Sequence, residues 1–349
     1  TSGKAAQDEA PVYEQDDWLL EFSRLFTEIT GLDPTAHHEA LNIGTDQLQR
    51  AIDVKLSDEE ALPLFDKASE AFKEATCDSM VQWGNVHIIK ADRQAQAILR
   101  TGKPLDNKAI DAMMKEFDEG EKKYQEALKI KPNSATAAGS LGQLDWERAK
   151  ARMGYIVPTN CDVKADEEAF KEANTAAVRE TLSKLEPKRV DQAKKYIDNG
   201  VSKWFAKALA SAKESHESNK AEEAAAAQAE GKELPAKTAE EEASTLLTSH
   251  VGNILVMHGN VLYEWSQVQA AISRDWRPIL DSAVEKFREA GAGEAEIRAA
   301  LKNHSQAEHL DLGPDPEPEA PPAPAEAPKA PEAKGLPSLE VKKKAAGKA

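Results

Sequence analysis

Glu119-Gly120-Glu121-Lys122-Lys123-Tyr124-Gln125-Glu126-Ala127-Leu128-Lys129-Ile130-Lys131-Pro132-Asn133-Ser134, running on to Leu141-Gly142-Gln143-Leu144, is the stretch that decides the fold. Gly120, Tyr124 and Ala127 fall at steps of four and then three, which sets them on one face of a helix. Small residues there let a second helix approach closely, and the aromatic fills the gap between the two. Pro132 cannot continue the first helix, and Ser134 is placed to cap the next. Leu141-Gly142 then brings a second close-packing position onto that following helix.

The same elements recur outward from this stretch. Ala68, Phe72 and Ala75 repeat the small-aromatic-small spacing within residues 63–76, and Ala283, Phe287 and Ala290 repeat it within residues 277–292. A bulky residue beside Gly returns as Trp83-Gly84-Asn85-Val86-His87 and as His258-Gly259-Asn260-Val261. Small residue, aromatic, Ala, a Pro-containing turn and Leu-Gly is the grammar of the tetratricopeptide repeat. The 124–142 segment has the standard spacing, the 68–84 segment is too short and the 259–283 segment too long. One good repeat and two degenerate ones are expected. The repeat positions are Ala68, Phe72, Trp83, Gly84, Tyr124, Ala127, Leu141, Gly142, Gly259, Phe287 and Ala290.

Composition agrees with an all-α chain. Of 349 residues, 40% are hydrophobic, 30% charged and only 5% aromatic. Ala, Glu, Lys, Leu and Gln dominate, and these lose least on entering a helix. No sustained alternation of β-branched residues marks a strand. The expected fold is a tetratricopeptide-like array of antiparallel helical hairpins over residues 16–310. A small, polar, disordered segment 1–15 precedes it, and a disordered Pro/Ala/Glu-rich tail 311–349 follows.

Within the array, a first helix opens at Asp16-Asp17 with Trp18, Phe22, Leu25, Phe26 and Ile29 on one face. Gly31 and Pro34 separate it from a second helix that runs to about Val54 through Leu41, Leu48 and Ile52. Two helices fill 163–216. The second opens at Pro187, buries Val190, Ile197, Val201, Trp204, Phe205 and Leu209, and is interrupted at Asn199-Gly200. Residues 217–243 read as a charged, solvated insertion, after which helix resumes near Ala239 and reaches about Ser273. Nine of the 18 prolines lie between 314 and 337, where too little apolar surface exists to offset ordering entropy. The tail ends in the basic cluster Lys342-Lys343-Lys344 and Lys348.

The formal charge of −16 disfavours nucleic acid and anionic membranes as partners. No apolar run approaches the roughly 20 residues of a membrane span. Cys77 and Cys161 have neither metal-ligand nor disulfide-framework spacing, and read as reduced thiols in a cytoplasmic protein. His37 and His38 point about 100° apart on a helix, and His87, His258 and His304 lack zinc-type companions. Neither a nucleophile elbow nor a phosphate-binding Gly-rich loop is present. No catalytic residue, metal or cofactor is expected.

Asn85 and Asn260, each following a Gly, are the candidate partner-groove residues. Repeat co-chaperones that grip an acidic C-terminal peptide carry Lys three positions before such a Gly-Asn, where it binds carboxylate by charge-assisted hydrogen bonds. Here those positions are Val81 and Val256. A chaperone clamp is therefore not expected within this chain, and the two Asn side chains are expected to bond locally between helices.

Several segments together resemble the plant and algal Phox-type proteins, which combine tetratricopeptide repeats with a PB1 domain. They are Asp16-Asp17-Trp18-Leu19-Leu20-Glu21-Phe22, Gly31-Leu32-Asp33-Pro34, Pro63-Leu64-Phe65-Asp66-Lys67-Ala68, Trp83-Gly84-Asn85-Val86-His87, Tyr124-Gln125-Glu126-Ala127-Leu128, Ser266-Gln267-Val268, Phe287-Arg288-Glu289-Ala290-Gly291-Ala292 and Ala300-Leu301-Lys302-Asn303-His304, in family order. The resemblance covers about residues 16–306 and corresponds to that family's C-terminal half. It implies a cytosolic, co-chaperone-like adaptor bridging other proteins. The family's clamp repeats and PB1 domain lie upstream of the matched segment, so either Thr1 is internal to a longer protein or this member lacks those modules. The expected function is a non-catalytic scaffold that takes a helix or extended peptide in its repeat groove. The alternative is a structural subunit of a cytoskeletal, ciliary or ribosome-associated assembly.

Overall fold

The computed structural model describes residues 36–159, 167–229, 231 and 238–312. The predicted helix over 16–30, the segment 1–15, Cys161 and the proline-rich tail lie outside the described residues. The described helices belong to one unit ending at Asp311. Among them no strand occurs, and the architecture is an all-α array of packed hairpins.

The helices are α1 (Ala36–Ala51), α2 (Asp58–Leu99), α3 (Asn107–Ile130), α4 (Ala135–Met153), α5 (Glu167–Ser183) and α6 (Pro187–Tyr196). A π-turn, Ile197–Val201, joins α6 to α7 (Ser202–Ala229). Then come α8 (Ala239–Leu247), α9 (His250–Ala271), α10 (Arg277–Glu289) and α11 (Glu294–Lys302). Their starts follow local chemistry. The Asp106 carboxylate accepts from the Ala109 N–H at 2.7 Å, and the Ser134 and Ser249 hydroxyls accept from Ala137 and Gly252, each at 3.2 Å. Each satisfies an amide that the first helical turn leaves unpaired. Gly154, at φ 80°, ends α4 in the left-handed region that a side chain would strain.

Each helix packs on its successor from α1 to α4, after which α4 meets α6 and α7, α7 meets α9, and α9 meets α10. One contact recurs through this order. A glycine on one helix seats an aromatic ring from a later one: Gly44 takes Phe72, Gly84 takes Tyr124, Gly142 takes Phe205 and Gly259 takes Phe287. A Cβ at Gly142 would stand 2.9 Å from the Phe205 ring, and one at Gly259 would stand 2.6 Å from Phe287. The hairpin unit is thus glycine helix first, aromatic helix second. This corrects the expected grouping, which joined Tyr124 to Gly142 as one repeat and left two degenerate. Four hairpins share one contact, and insertions of different length separate its two halves.

Two apolar cores lie either side of α4. Ala137, Leu141, Leu144 and Ala151 face the core built with α2 and α3. Ala138, Trp146, Ala149 and Met153 face the one built with α6, α7 and α9. A helix apolar on both sides is a buried helix, and α4 is shared by the two cores.

Two other expectations are corrected, and two are made specific. Residues 63–76 and the Trp83 element are one helix, α2. The Glu60 carboxylate accepts from the Ser57 N–H at 3.0 Å and starts that helix upstream of Pro63, and no Gly or Pro between Leu64 and Trp83 stops it. The second predicted helix ends at Ala51, leaving Ile52 and Val54 exposed. Residues 217–243, read as a solvated extension and loop, are helical through Ala229, where α7 projects beyond its last buried residue, Ala212. The interruption at Asn199-Gly200 is the π-turn Ile197–Val201. Gly200 passes so close to the Asp145 carboxylate that no side chain fits.

Candidate functional site

Two surfaces stand out, and they differ in chemistry. The first comes from α1 being packed with its small face inward. Ala40, Gly44 and Ala51 are buried, whereas Leu41, Ile43, Leu48 and Ile52 are 41%, 47%, 38% and 63% exposed. The glycine contact explains this, since the Phe72 ring needs a partner without a side chain and so selects the small face of α1. Beside the outward Leu and Ile residues, Leu48, Phe65, Ala68, Phe72, Thr76 and Ile130 line an open groove of about 460 Å³. Farther along α2, Trp83, Val86 and Ile89 are also exposed. Exposed apolar residues grouped around a groove mark a protein-contact surface more often than an accident of composition.

The second is a polar cavity of about 390 Å³ on the inner side, where the glycine-bearing helices α2, α4 and α9 come together. Asp92 and Gln96 come from α2, Glu147 and Lys150 from α4, Glu264 and Gln267 from α9, with Asn174 and Val178 of α5 and the extended residues Tyr155–Thr159 completing the wall. The Lys150 ammonium lies 2.8 Å from Glu147. Burial works against that charge, but Glu147 and Glu264 outweigh it and hold the Lys150 pKa above the ordinary lysine value. Burial raises the Glu264 pKa, with Lys150 and the Trp146 indole N–H, 3.3 Å from the carboxylate, opposing it. Three carboxylates around one ammonium make the cavity anionic. Among the described residues, no nucleophile–base pair is positioned by it.

The predicted residues distribute as follows. Gly84, Tyr124, Ala127, Leu141, Gly142, Gly259 and Ala290 are buried in helix contacts, Ala68 is buried beside the apolar groove, and Phe72 and Phe287 cover their glycines while partly exposed. Trp83 does not belong with them. Gly84 faces α3, so its neighbour points about 100° away, and Trp83 is 51% exposed with the Lys123 ammonium 4.0 Å above its ring. Asn85 bonds between helices, its amide oxygen accepting from the Tyr124 hydroxyl. Asn260 is exposed on α9, so the two Asn residues form no common site. Val81 is fully buried under α3, and Val256 packs against the second core.

Sequence reasoning missed Gly44, Phe65, Gln96, Lys150 and Glu264. Gly44 was detectable, since Ala40, Gly44 and Ala51 form a small-residue stripe. Glu147 and Lys150 read as an ordinary solvated pair one turn apart, and nothing local distinguishes them.

Three plant proteins, two of them Phox-named, are relatives of this chain over most of its length. No family model matches the chain, and no solved structure matches it. It is 27% identical over 300 residues to Protein PHOX1 of Arabidopsis thaliana, covering 84% of this chain and 38% of that protein. It is 24% identical over 323 residues to the HSP-interacting protein of Zea mays, covering 89% of this chain and 40% of that protein. It is 25% identical over 288 residues to Protein PHOX3 of Arabidopsis thaliana, covering 79% and 32%. The chain thus spans about two-fifths or less of the length of these relatives. Across most of its own length, the chain is a relative of Phox-type plant proteins.

Proposed function

We propose that this chain is a non-catalytic, tetratricopeptide-like adaptor that holds another protein on the apolar face of α1 and α2. The observation that carries this reading is the orientation of α1, which buries Ala40, Gly44 and Ala51 and turns Leu41, Ile43, Leu48 and Ile52 outward beside Phe65. Such a face suits an amphipathic helix or an extended apolar segment. One relative is named HSP-interacting protein, which supports a chaperone-associated role. Val81 and Val256 argue against an acidic-peptide clamp inside this chain. Val81 is fully buried, so a cation there would have to be buried, and Val256 packs against the second core.

The test compares proteins co-purifying from native extract with the wild-type chain and with the double variant Leu48→Asp, Phe65→Asp, after circular dichroism confirms equal helicity. A partner set retained by the wild type and lost by the variant is expected. A set unchanged by the variant overturns the assignment of the face. Turnover of any substrate by the purified chain overturns the non-catalytic reading.

A further inference from the structure

The connection leaving α4 behaves as a bound peptide does. Tyr155–Thr159 run extended past α2. Gln96 of α2, only 4% exposed, donates from its amide nitrogen to the Val157 carbonyl at 3.0 Å and accepts at its amide oxygen from the Thr159 N–H at 2.9 Å. One side-chain amide thereby satisfies both backbone groups flanking Pro158, a residue with no N–H of its own. Tyr155 is firmly placed, 3% exposed with its ring 6.5 Å from that of Trp146. Beyond it the hold is lighter. Ile156 and Val157 are half-buried at the edges of the two apolar cores, Pro158 and Thr159 are exposed, and all four border the polar cavity.

An extended backbone read by a glutamine amide, with an apolar pair beside it and Pro following, is how a groove recognises a linear segment of another chain. We infer that Ile156–Thr159 is an intramolecular ligand of the inner face. A partner segment of the same kind, an extended apolar pair followed by Pro, takes this position by displacing it. The inner groove is then closed in the free protein and opens locally, with the anchor at Tyr155 unmoved. This goes beyond the adaptor reading, because it concerns a different surface and a different ligand shape from the outer face of α1 and α2.

The test has two arms on the full chain. Hydrogen exchange of the wild type compares the Thr159 amide with that of Ala149, in the middle of α4. Local release predicts exchange at Thr159 at least about a hundredfold faster, and faster again by about tenfold in Gln96→Ala with Ala149 unchanged. Equal rates at the two amides overturn the inference. The second arm vacates the position with Ile156→Ser, Val157→Ser and Pro158→Gly, then titrates a labelled peptide having the sequence of residues 154–159. Binding to the vacated chain, absent in the wild type and weakened about tenfold or more by adding Gln96→Ala, is expected. A folded vacated chain that does not bind the peptide overturns the inference. Should that variant fail to fold, the exchange arm decides. Because the probe is this chain's own sequence, neither arm depends on whether the outer face has a partner.

Discussion

Phe205 and His258 stack face to face, with ring centroids 4.9 Å apart and planes within 7° of parallel. Burial lowers the His258 pKa to about 4, and Lys286 adds to the effect. His304 is likewise lowered to about 4 by burial. Its Nδ1 accepts from the Gln306 N–H at 3.1 Å, which leaves Nε2 to donate to the Ser266 hydroxyl at 2.9 Å. Both rings are therefore neutral in the fold. In the unfolded chain they protonate near pH 6.5, so their contribution is complete above that pH and is lost as pH falls toward about 4. Each contributes up to about 3 kcal/mol across that window. Urea denaturation at a series of pH values should show this acid limb, and His258→Phe, which keeps the stack without the titration, should reduce it by about half, leaving the His304 part.

Gly142→Ala should destabilise by about 1–3 kcal/mol, because the new methyl meets the Phe205 ring at 2.9 Å in a packed core. Gly259→Ala should do the same through Phe287. The check is the urea midpoint at unchanged m-value. An Ala variant as stable as wild type would contradict the seating of ring on glycine.

Arg148, 7% exposed, reaches Asp118 at 2.7 Å, Glu121 at 2.6 Å and Asp145 at 3.3 Å, and so ties α3 to α4. Removing it strands the Asp145 carboxylate, whose pKa burial already raises. Arg148→Ala should cost about 3 kcal/mol, at the lower end for a buried pair because the Asp118 side chain is 61% exposed. Asp118→Asn alone should cost well under half of that. Calorimetric melting of the two variants checks the ratio.

Leu48→Asp and Phe65→Asp should leave stability within about 1 kcal/mol of wild type, since both residues are already more than a third exposed. A loss as large as that of Arg148→Ala would mean that these side chains support the fold and not a partner.

The hairpin elements were legible in the sequence because Gly120, Tyr124, Ala127, Leu141 and Gly142 are close together and carry small-aromatic spacing directly. The pairing was not legible. Gly142 meets Phe205 across an insertion that contains α5 and α6, and no local pattern states which later aromatic a glycine will seat. The outward face of α1 was not legible for a related reason. Leu41, Leu48 and Ile52 have the spacing of a buried stripe, yet a stripe of Ala and Gly won the interior because the facing ring demanded it. The two hydrogen bonds of Gln96 depend on where a loop passes, which composition does not reveal.

The fusion of two hairpins through α2 has a mechanical consequence. At 1.5 Å per residue its 42 residues make a rod roughly 60 Å long, with no Gly or Pro between Leu64 and Trp83 to act as a joint. Phe72 is gripped near one end by α1, and Gly84 carries Tyr124 farther along. A load applied at the outward face of α1 is therefore delivered to the Tyr124 contact as a tilt of the whole rod, with little absorbed along the way. The first hairpin is a lever on the second.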